Sequence, residues 1–132
     1  MATINEFEQL PIWLEARKLY RMILIFTERP DVKSNFRFKS QIIEASGSVM
    51  DNIAAGFERD SRLEFINFLS IAKGSAGETR SQLYRGFDMG YWNESQLLEL
   101  STQYKILGAN IANFIRYLNQ SGIKGQKFKD RT

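Results

Sequence analysis

The stretch from Ala72 to Leu83, AKGSAGETRSQL, places two glycines beside a lysine and serines, a composition typical of a loop that binds phosphate. A Walker-type loop needs a glycine, four further residues and then Gly-Lys-Ser/Thr, directly after a strand. Here Lys73 precedes Gly74, the spacing differs, and no strand pattern stands before the stretch. We therefore do not interpret it as a phosphate-binding loop.

Two side chains that often carry catalysis or bind metals, histidine and cysteine, are absent from the sequence. The chain contains neither histidine nor cysteine, which excludes Ser-His and Cys-His nucleophile pairs, thiolate metal sites and disulfide bonds. Glu44, Asp51 and Glu58 could supply carboxylates like those of a metal-binding bundle, but no Glu-x-x-His motif accompanies them. We predict that these carboxylates form a solvated face, and we expect no enzymatic activity, metal or cofactor.

Length and composition predict one soluble domain. With 132 residues and 43% hydrophobic content, the chain can bury a core of its own. The N-terminal segment MATINEFEQLPIW lacks the pattern of a signal peptide. No apolar run approaches the roughly 20 residues that span a bilayer. The expectation is a cytoplasmic protein without membrane contact.

Helical periodicity runs through nearly the whole chain. Each predicted helix has an apolar stripe with three- and four-residue spacing, and the predicted helices cover residues 9–29, 35–57, 61–88 and 94–120. Pro11 suits a first helical turn, Gly90 a stop signal and Asn93 an N-cap. The most regular stripe is in the last helix, at Leu97, Leu100, Tyr104, Leu107, Ile111, Phe114 and Leu118. These patterns predict an all-α, up-down-up-down antiparallel four-helix bundle over residues 1–121.

The stretch 72–83 falls inside the third predicted helix, which carries two stripes. The first, predicted to face the core, is bulky at its ends and small in its middle: Phe65, Leu69, Ala72, Ala76, Thr79 and Leu83. The second, which we call the small-residue stripe, comprises Ile66, Ser70, Gly74, Gly77, Ser81 and Tyr84. A glycine costs a helix up to about 1 kcal/mol relative to alanine, whereas small residues let another helix approach closely. We interpret this stripe as an oligomer interface. The alternative is a bent packing within the chain, in which another helix of the same molecule covers the stripe.

Basic residues accompany the third predicted helix and end the chain. The candidates for nucleic-acid binding are Arg59, Arg62, Lys73, Arg80, Arg85, Lys124, Lys127 and Lys129. Arg62, Lys73 and Arg80 follow the border between the two stripes, where they could bind phosphates. Glu64 and Glu78 are near enough to pair with some of them, so ordinary surface ion pairs are the alternative.

The C-terminal tail carries the whole net charge. Residues 1–121 contain 14 basic and 14 acidic residues, whereas residues 122–132 contain 4 basic residues and 1 acidic residue. We predict that this tail does not pack against the bundle. It could hold nucleic acid or an acidic partner, or it could serve only to keep the chain soluble.

Particular segments carry a resemblance to a known family. They are LPIW-x-x-A from Leu10 to Ala16, NIA-x-G from Asn52 to Gly56, and EF-x-x-FL-x-IAKGS from Glu64 to Ser75. In combination they resemble the four-helix-bundle proteins encoded in intervening sequences of bacterial 23S ribosomal RNA genes. The resemblance extends from Phe7 to about Leu118. The chain departs from the family pattern at Ala55, where the family often has glutamate, and at Thr79, where it often has leucine.

The resemblance implies a closed four-helix bundle without known enzymatic activity. The accessory variability proteins of diversity-generating retroelements are similar; they form ring-like pentamers whose positive surface engages nucleic acid and a reverse transcriptase. A homo-oligomer, with a pentamer favoured, and RNA or DNA as ligand are thereby implied. The functional expectation is an oligomeric, non-enzymatic protein that binds nucleic acid or associates with ribosomal RNA. The alternative is a protein–protein interaction scaffold without a nucleic-acid ligand.

Overall fold

The computed structural model describes residues 4–120, so the basic tail with Lys124, Lys127 and Lys129 lies outside the described residues. A 3-10 helix, Phe7–Gln9, precedes the α-helices. These are α1 Pro11–Phe26, α2 Pro30–Lys33, α3 Phe36–Phe57, α4 Arg62–Asp88 and α5 Glu94–Gln120. Within residues 4–120 every regular element is helical, which confirms the predicted all-α class.

Side-chain caps mark where α3, α4 and α5 begin. The Asn35 carboxamide oxygen accepts the backbone N–H of Phe38 at 3.2 Å, and the Ser61 hydroxyl oxygen accepts that of Glu64 at 3.2 Å. At the start of α5, the Asn93 side chain accepts the Gln96 N–H at 2.8 Å while the Gln96 side chain accepts the Asn93 N–H at 2.9 Å. This reciprocal capping box satisfies backbone donors that the first helical turn leaves free.

Gly90 ends α4 as its position in the sequence predicts. Its φ of 81° lies in the left-handed region, which glycine adopts without a Cβ penalty. The Tyr91 N–H donates to the Gly86 carbonyl at 2.9 Å, and the Gly90 N–H donates to that of Phe87 at 2.9 Å. This is the Schellman arrangement, and it turns the chain directly into α5.

The segment after α1, which falls between the predicted helices 9–29 and 35–57, contains a short helix of its own. Residues Pro30–Lys33 form one turn of helix, with Pro30 at its first position. Val32 in this turn is fully buried, and the Asp31 carboxylate accepts the Val32 N–H at 3.0 Å. Burial of one valine therefore holds this short segment in helical form against the bundle.

The core is built from the apolar stripes of the long helices. In α5 every residue of the predicted stripe is buried except Phe114, which is half-buried. Phe114 still packs edge-on against Phe65 of α4, with ring centroids 5.6 Å apart. The buried stripe of α3 comprises Phe38, Ile42, Ala45, Val49, Ile53 and Phe57. The three-and-four periodicity thus identified the inward faces of both helices.

The long helices pack in a closed ring. Helix α1 packs beside α3 and α5, and α4 packs beside the same two helices, whereas within the described chain the backbones of α1 and α4 do not approach each other closely. Hydrogen bonds join Ser48 to Ser75 and Gln41 to Arg85, so α3 and α4 run in opposite directions. The complete up-down-up-down order of the bundle stays a prediction.

Replacing Tyr104 with phenylalanine is expected to leave the free energy of unfolding unchanged or raise it by about 1 kcal/mol at neutral pH. Tyr104 is fully buried, and its hydroxyl has no hydrogen-bond partner of normal geometry among residues 4–120. The neighbouring Ser46 hydroxyl donates its proton to the Ile42 carbonyl at 2.8 Å, so it does not donate to the phenol oxygen. A buried polar group without a partner costs about 1–3 kcal/mol. Denaturant unfolding measures the change, and a clear loss of stability would contradict this account.

The same substitution has an expected signature at alkaline pH. Burial raises the pKa of the Tyr104 phenol well above its ordinary value, and the neighbouring Ser46 opposes this only in part. Above pH about 10, the unfolded chain ionises this phenol while the folded chain keeps it neutral. The stability contribution is therefore complete below that pH and is lost as pH rises towards the folded-state pKa. The Tyr104→Phe variant should lose less stability between neutral pH and pH about 11 than the unmodified protein.

Candidate functional site

Helix α4 is continuous through the stretch 72–83, so the glycines there belong to a helix and not to a loop. The whole predicted core stripe of this helix is buried, from Phe65 to Leu83. The Thr79 hydroxyl donates to the Ser75 carbonyl at 2.9 Å, which satisfies a polar side chain inside the core. The small residues in the middle of the core stripe reduce the width of α4 there, but the helix continues through them.

The small-residue stripe lies on the outer face of α4. Ile66 is half-buried, and the other five members of the stripe are exposed. A Cβ atom added at Gly74 or Gly77 would meet no atom within 4 Å. No part of residues 4–120 covers these glycines, so any close neighbour must come from outside the described residues.

The border cations lie on the side of α4 that faces α5. At about 100° per residue, Arg62, Lys73 and Arg80 project within about 20° of one another. The Arg62 guanidinium donates to the carbonyl of Leu118 in α5 at 3.1 Å, so this arginine also ties the two helices together. Lys73 is exposed and Arg80 is half-buried. Lys73 and Arg80 are thus the members of this row with the most freedom to contact a ligand.

Arg59 and Arg85 lie on the opposite side of the small-residue stripe, towards α3. Arg59 lies 4.9 Å from the ring of Phe68 and 3.9 Å from the Glu64 carboxylate. Arg85 lies 5.8 Å from the ring of Phe38 in α3. Arg85 projects about 140° away from Arg80 around α4. The structure therefore places the predicted basic residues in and next to α4 in two groups, on opposite sides of the small-residue stripe.

A polar groove of about 470 Å³ separates α3 from α4 on that side. Its lining carries both signs of charge and comprises Gln41, Glu44, Ala45, Ser48, Glu78, Gln82 and Arg85. Ser48 and Ser75 share a hydrogen bond of 3.0 Å between the helices. Carboxylates on both walls make this groove a poor phosphate site, which again separates Arg85 from the row on the α5 side.

The three carboxylates considered for metal binding are exposed: Glu44 and Asp51 on the surface of α3, and Glu58 just after it. Among residues 4–120 no group of three or more His, Cys, Asp or Glu side chains is arranged to hold a metal ion. In the same range, none of the helices combines the length and apolar character needed to cross a membrane.

A further basic cluster on α1 was not identified from the sequence. Arg17, Lys18 and Arg21 are all exposed on the outward face of α1, and within residues 4–120 none of them forms an ion pair. The spacing of these cations, three and four positions apart in a predicted helix, is visible in the sequence. The predicted helix 9–29 also contains Glu28, which would lie on the same face as Arg17 and Arg21. The structure ends α1 at Phe26, and Glu28 pairs instead with Lys33 and Lys39.

Comparisons with known proteins agree with this architecture. A family model described as 23S rRNA-intervening sequence protein matches residues 8–113. One similar solved structure is that of a protein with unknown function from the S23 ribosomal protein family of Bacteroides thetaiotaomicron VPI-5482. It is 21% identical, with a TM-score of 0.74, and the match covers 80% of this chain and 95% of that chain. At this identity the likeness shows the fold alone. No curated protein matches the sequence.

Proposed function

Because the chain belongs to the family of 23S rRNA-intervening sequence proteins, we propose that it is an oligomeric, non-enzymatic bundle that binds RNA. The observation that carries the proposal is the outer surface of α4, where an uncovered stripe of small residues is bordered by basic side chains. The stripe suits a second subunit, and the cations beside it suit the phosphates of a nucleic acid.

The glycines support the oligomeric part of the proposal. Gly74 and Gly77 lie inside a long helix, where each costs up to about 1 kcal/mol relative to alanine. Neither is needed for packing within the described chain, since space for a Cβ is open at both. Close approach of a helix from another subunit gives them a physical reason. The resemblance to ring-forming accessory proteins favours five subunits.

The cations support the nucleic-acid part. Lys73 and Arg80 form no ion pair within residues 4–120 and lie beside the proposed subunit contact. In a cyclic assembly each subunit repeats this pair, so the charge available to a long phosphate backbone is multiplied. An RNA strand that contacts several subunits would therefore bind more tightly than a strand that contacts only one.

Neutralising Lys73 and Arg80 together as Lys73→Gln/Arg80→Gln is expected to weaken RNA binding and reduce its salt dependence. Each lost phosphate contact lowers the slope of log K against log salt by about 0.7–0.9, so the pair should lower it by about 1.5. Fluorescence anisotropy of a labelled RNA hairpin, titrated at several salt concentrations, measures both effects. The control is Arg29→Gln/Lys33→Gln, which removes the same charge from residues already paired with Asp31 and Glu28. Absence of RNA binding by the unmodified protein at low salt would refute the proposed function.

A protein-interaction scaffold is the second candidate, and exposed apolar side chains on α4 favour it. Leu63, Ile71 and Tyr84 are 63%, 53% and 47% exposed on the outward half of the helix. A scaffold would bind its partner equally well after removal of residues 122–132, and it would show no salt-dependent affinity for RNA. The RNA titration therefore separates the two candidates directly.

A further inference from the structure

The outward face of α1 concentrates positive charge that the rest of the described chain does not neutralise. Arg17, Lys18 and Arg21 are exposed there and form no ion pair within residues 4–120. The nearest acid in the sequence, Glu15, points to α5, where its carboxylate accepts a hydrogen bond from the Asn110 amide at 3.1 Å. Among the residues that the structure describes, this face therefore has no counter-charge.

Three basic residues that follow α1 in the chain have ion-pair partners. Arg29 pairs with Asp31 at 3.4 Å, and Lys33 and Lys39 both lie 3.6 Å from the Glu28 carboxylate. On α1, by contrast, Arg21 lies three and four positions after the other two cations, and like charges at those spacings destabilise a helix. A cluster that repels itself and lacks a partner suits an external anion.

We propose that the outward face of α1, with Arg17, Lys18 and Arg21, is a contact surface for the nucleic-acid backbone. This inference rests on the proposed function and adds a surface that is separate from α4. Arg17 lies 5.8 Å from the ring of Trp13, and this cation–π contact holds the guanidinium at the surface. Arginine in this position can donate to phosphate oxygens with two N–H groups at once.

The extent of the cluster suits a phosphate backbone, and the apolar pattern of α1 disfavours a membrane surface. The cluster extends over about 6 Å of helix axis, and each strand of a nucleic-acid duplex places one charge about every 3.4 Å of its axis. A membrane-surface helix needs a continuous apolar face. The exposed apolar residues of α1 are instead split, with Leu14 at one end and Leu24 and Ile25 at the other. The basic cluster lies between them.

The position of α1 in the bundle separates this face from the small-residue stripe. Helix α1 stands diagonally across the bundle from α4, with no close backbone approach between the two helices. In a ring each subunit uses two different faces, so the stripe of one subunit packs on another face of the next. We place that second face away from Arg17, Lys18 and Arg21, which then stay open to the ligand. The α1 face thereby adds to the phosphate contacts of Lys73 and Arg80.

The test compares two variants of the full chain that lose the same charge. The cluster variant is Arg17→Gln/Lys18→Gln/Arg21→Gln, and the matched control is Arg29→Gln/Lys33→Gln/Lys39→Gln, which removes ion-paired cations. With a labelled RNA hairpin, the cluster variant should bind about 100-fold more weakly at about 0.1 M salt, and its salt slope should fall by about 2–3. The control should change both values far less. Circular dichroism verifies that both variants are folded.

A second measurement needs no substitution. Acetylation of lysines in the unmodified protein, read by mass spectrometry with and without the RNA hairpin, should show Lys18 protected and Lys33 unprotected. Equal modification of Lys18 in both samples would overturn the inference, as would equal loss of RNA affinity in the two variants. If the unmodified protein binds RNA and the cluster variant binds RNA with the same affinity, this inference fails and the proposed function stands. If the unmodified protein binds no RNA, both fail.

Other occupants of the α1 face are distinguished in the same experiment. Vesicles of phosphatidylcholine with phosphatidylglycerol and a polyglutamate peptide serve as probes for an anionic membrane and an acidic protein segment. Cluster-dependent binding to either probe without cluster-dependent binding to RNA would overturn the inference in favour of that partner. We expect RNA to be the probe whose affinity depends most on the cluster.

Discussion

Replacing Gly86 with alanine is expected to lower the free energy of unfolding by about 3 kcal/mol, near the upper end for overpacking a core. A Cβ at this position would lie 2.0 Å from Cζ2 and 2.5 Å from Cη2 of Trp92, far inside any real contact. The indole cannot easily move aside. Its N–H donates to the Leu83 carbonyl at 2.8 Å, and its ring packs against Phe26 at 5.3 Å between centroids.

The control for this prediction is Gly108→Ala in α5. Gly108 is also inside a helix, but a Cβ there would meet no atom within 4 Å. Alanine at this position should therefore raise stability by up to about 1 kcal/mol through helix propensity alone. Urea unfolding followed by circular dichroism, with tryptophan fluorescence as a second probe, measures both variants. A Gly86→Ala variant as stable as the unmodified protein would show that Trp92 does not pack against this glycine.

Gly86 also shows where sequence reasoning stops. The periodicity of α4 depends only on residues of the same helix, so its buried stripe from Phe65 to Leu83 could be read from the sequence. The stop at Gly90 could be read for the same local reason. The contact of Trp92 with Gly86 could not be read from the sequence, because it forms only after the chain reverses at Gly90. A contact made by such a reversal leaves no periodic pattern in the sequence.

The basic residues of the candidate site show the same difference between what helical spacing predicts and what only the structure shows. Arg62, Lys73 and Arg80 share one side of α4 because their spacing matches the helical repeat. Arg85 is out of phase with them, so it faces α3 and the mixed-charge groove. The basic cluster on α1 could not be identified as a site from its spacing alone. Whether its cations are paired depends on which acidic side chains the neighbouring elements bring close to them. Only the three-dimensional arrangement shows that Glu15 is engaged elsewhere.

Replacing Gly77 with phenylalanine is expected to convert the proposed oligomer into folded monomers. Within the described chain nothing lies within 4 Å of a Cβ at this position, so the larger side chain fits an isolated bundle. Phenylalanine is also the better helix former by about 0.5 kcal/mol. At a close helix–helix contact between subunits, the ring would overpack the interface by about 1–3 kcal/mol. That corresponds to about a 5- to 150-fold loss in the association constant of each contact.

Light scattering after size-exclusion chromatography measures this shift, with circular dichroism to verify that the helices persist. The control is Thr102→Phe, which places the same ring on the exposed side of α5, away from the small-residue stripe. The control should keep the mass of the unmodified protein, whereas Gly77→Phe should elute as a monomer. An unmodified protein that is already monomeric, with and without RNA, would leave the glycines of α4 without an assembly role. A Gly77→Phe variant that retains the oligomeric mass would place the subunit contact on another face, because the exposed stripe cannot admit both a phenylalanine ring and a closely packed helix.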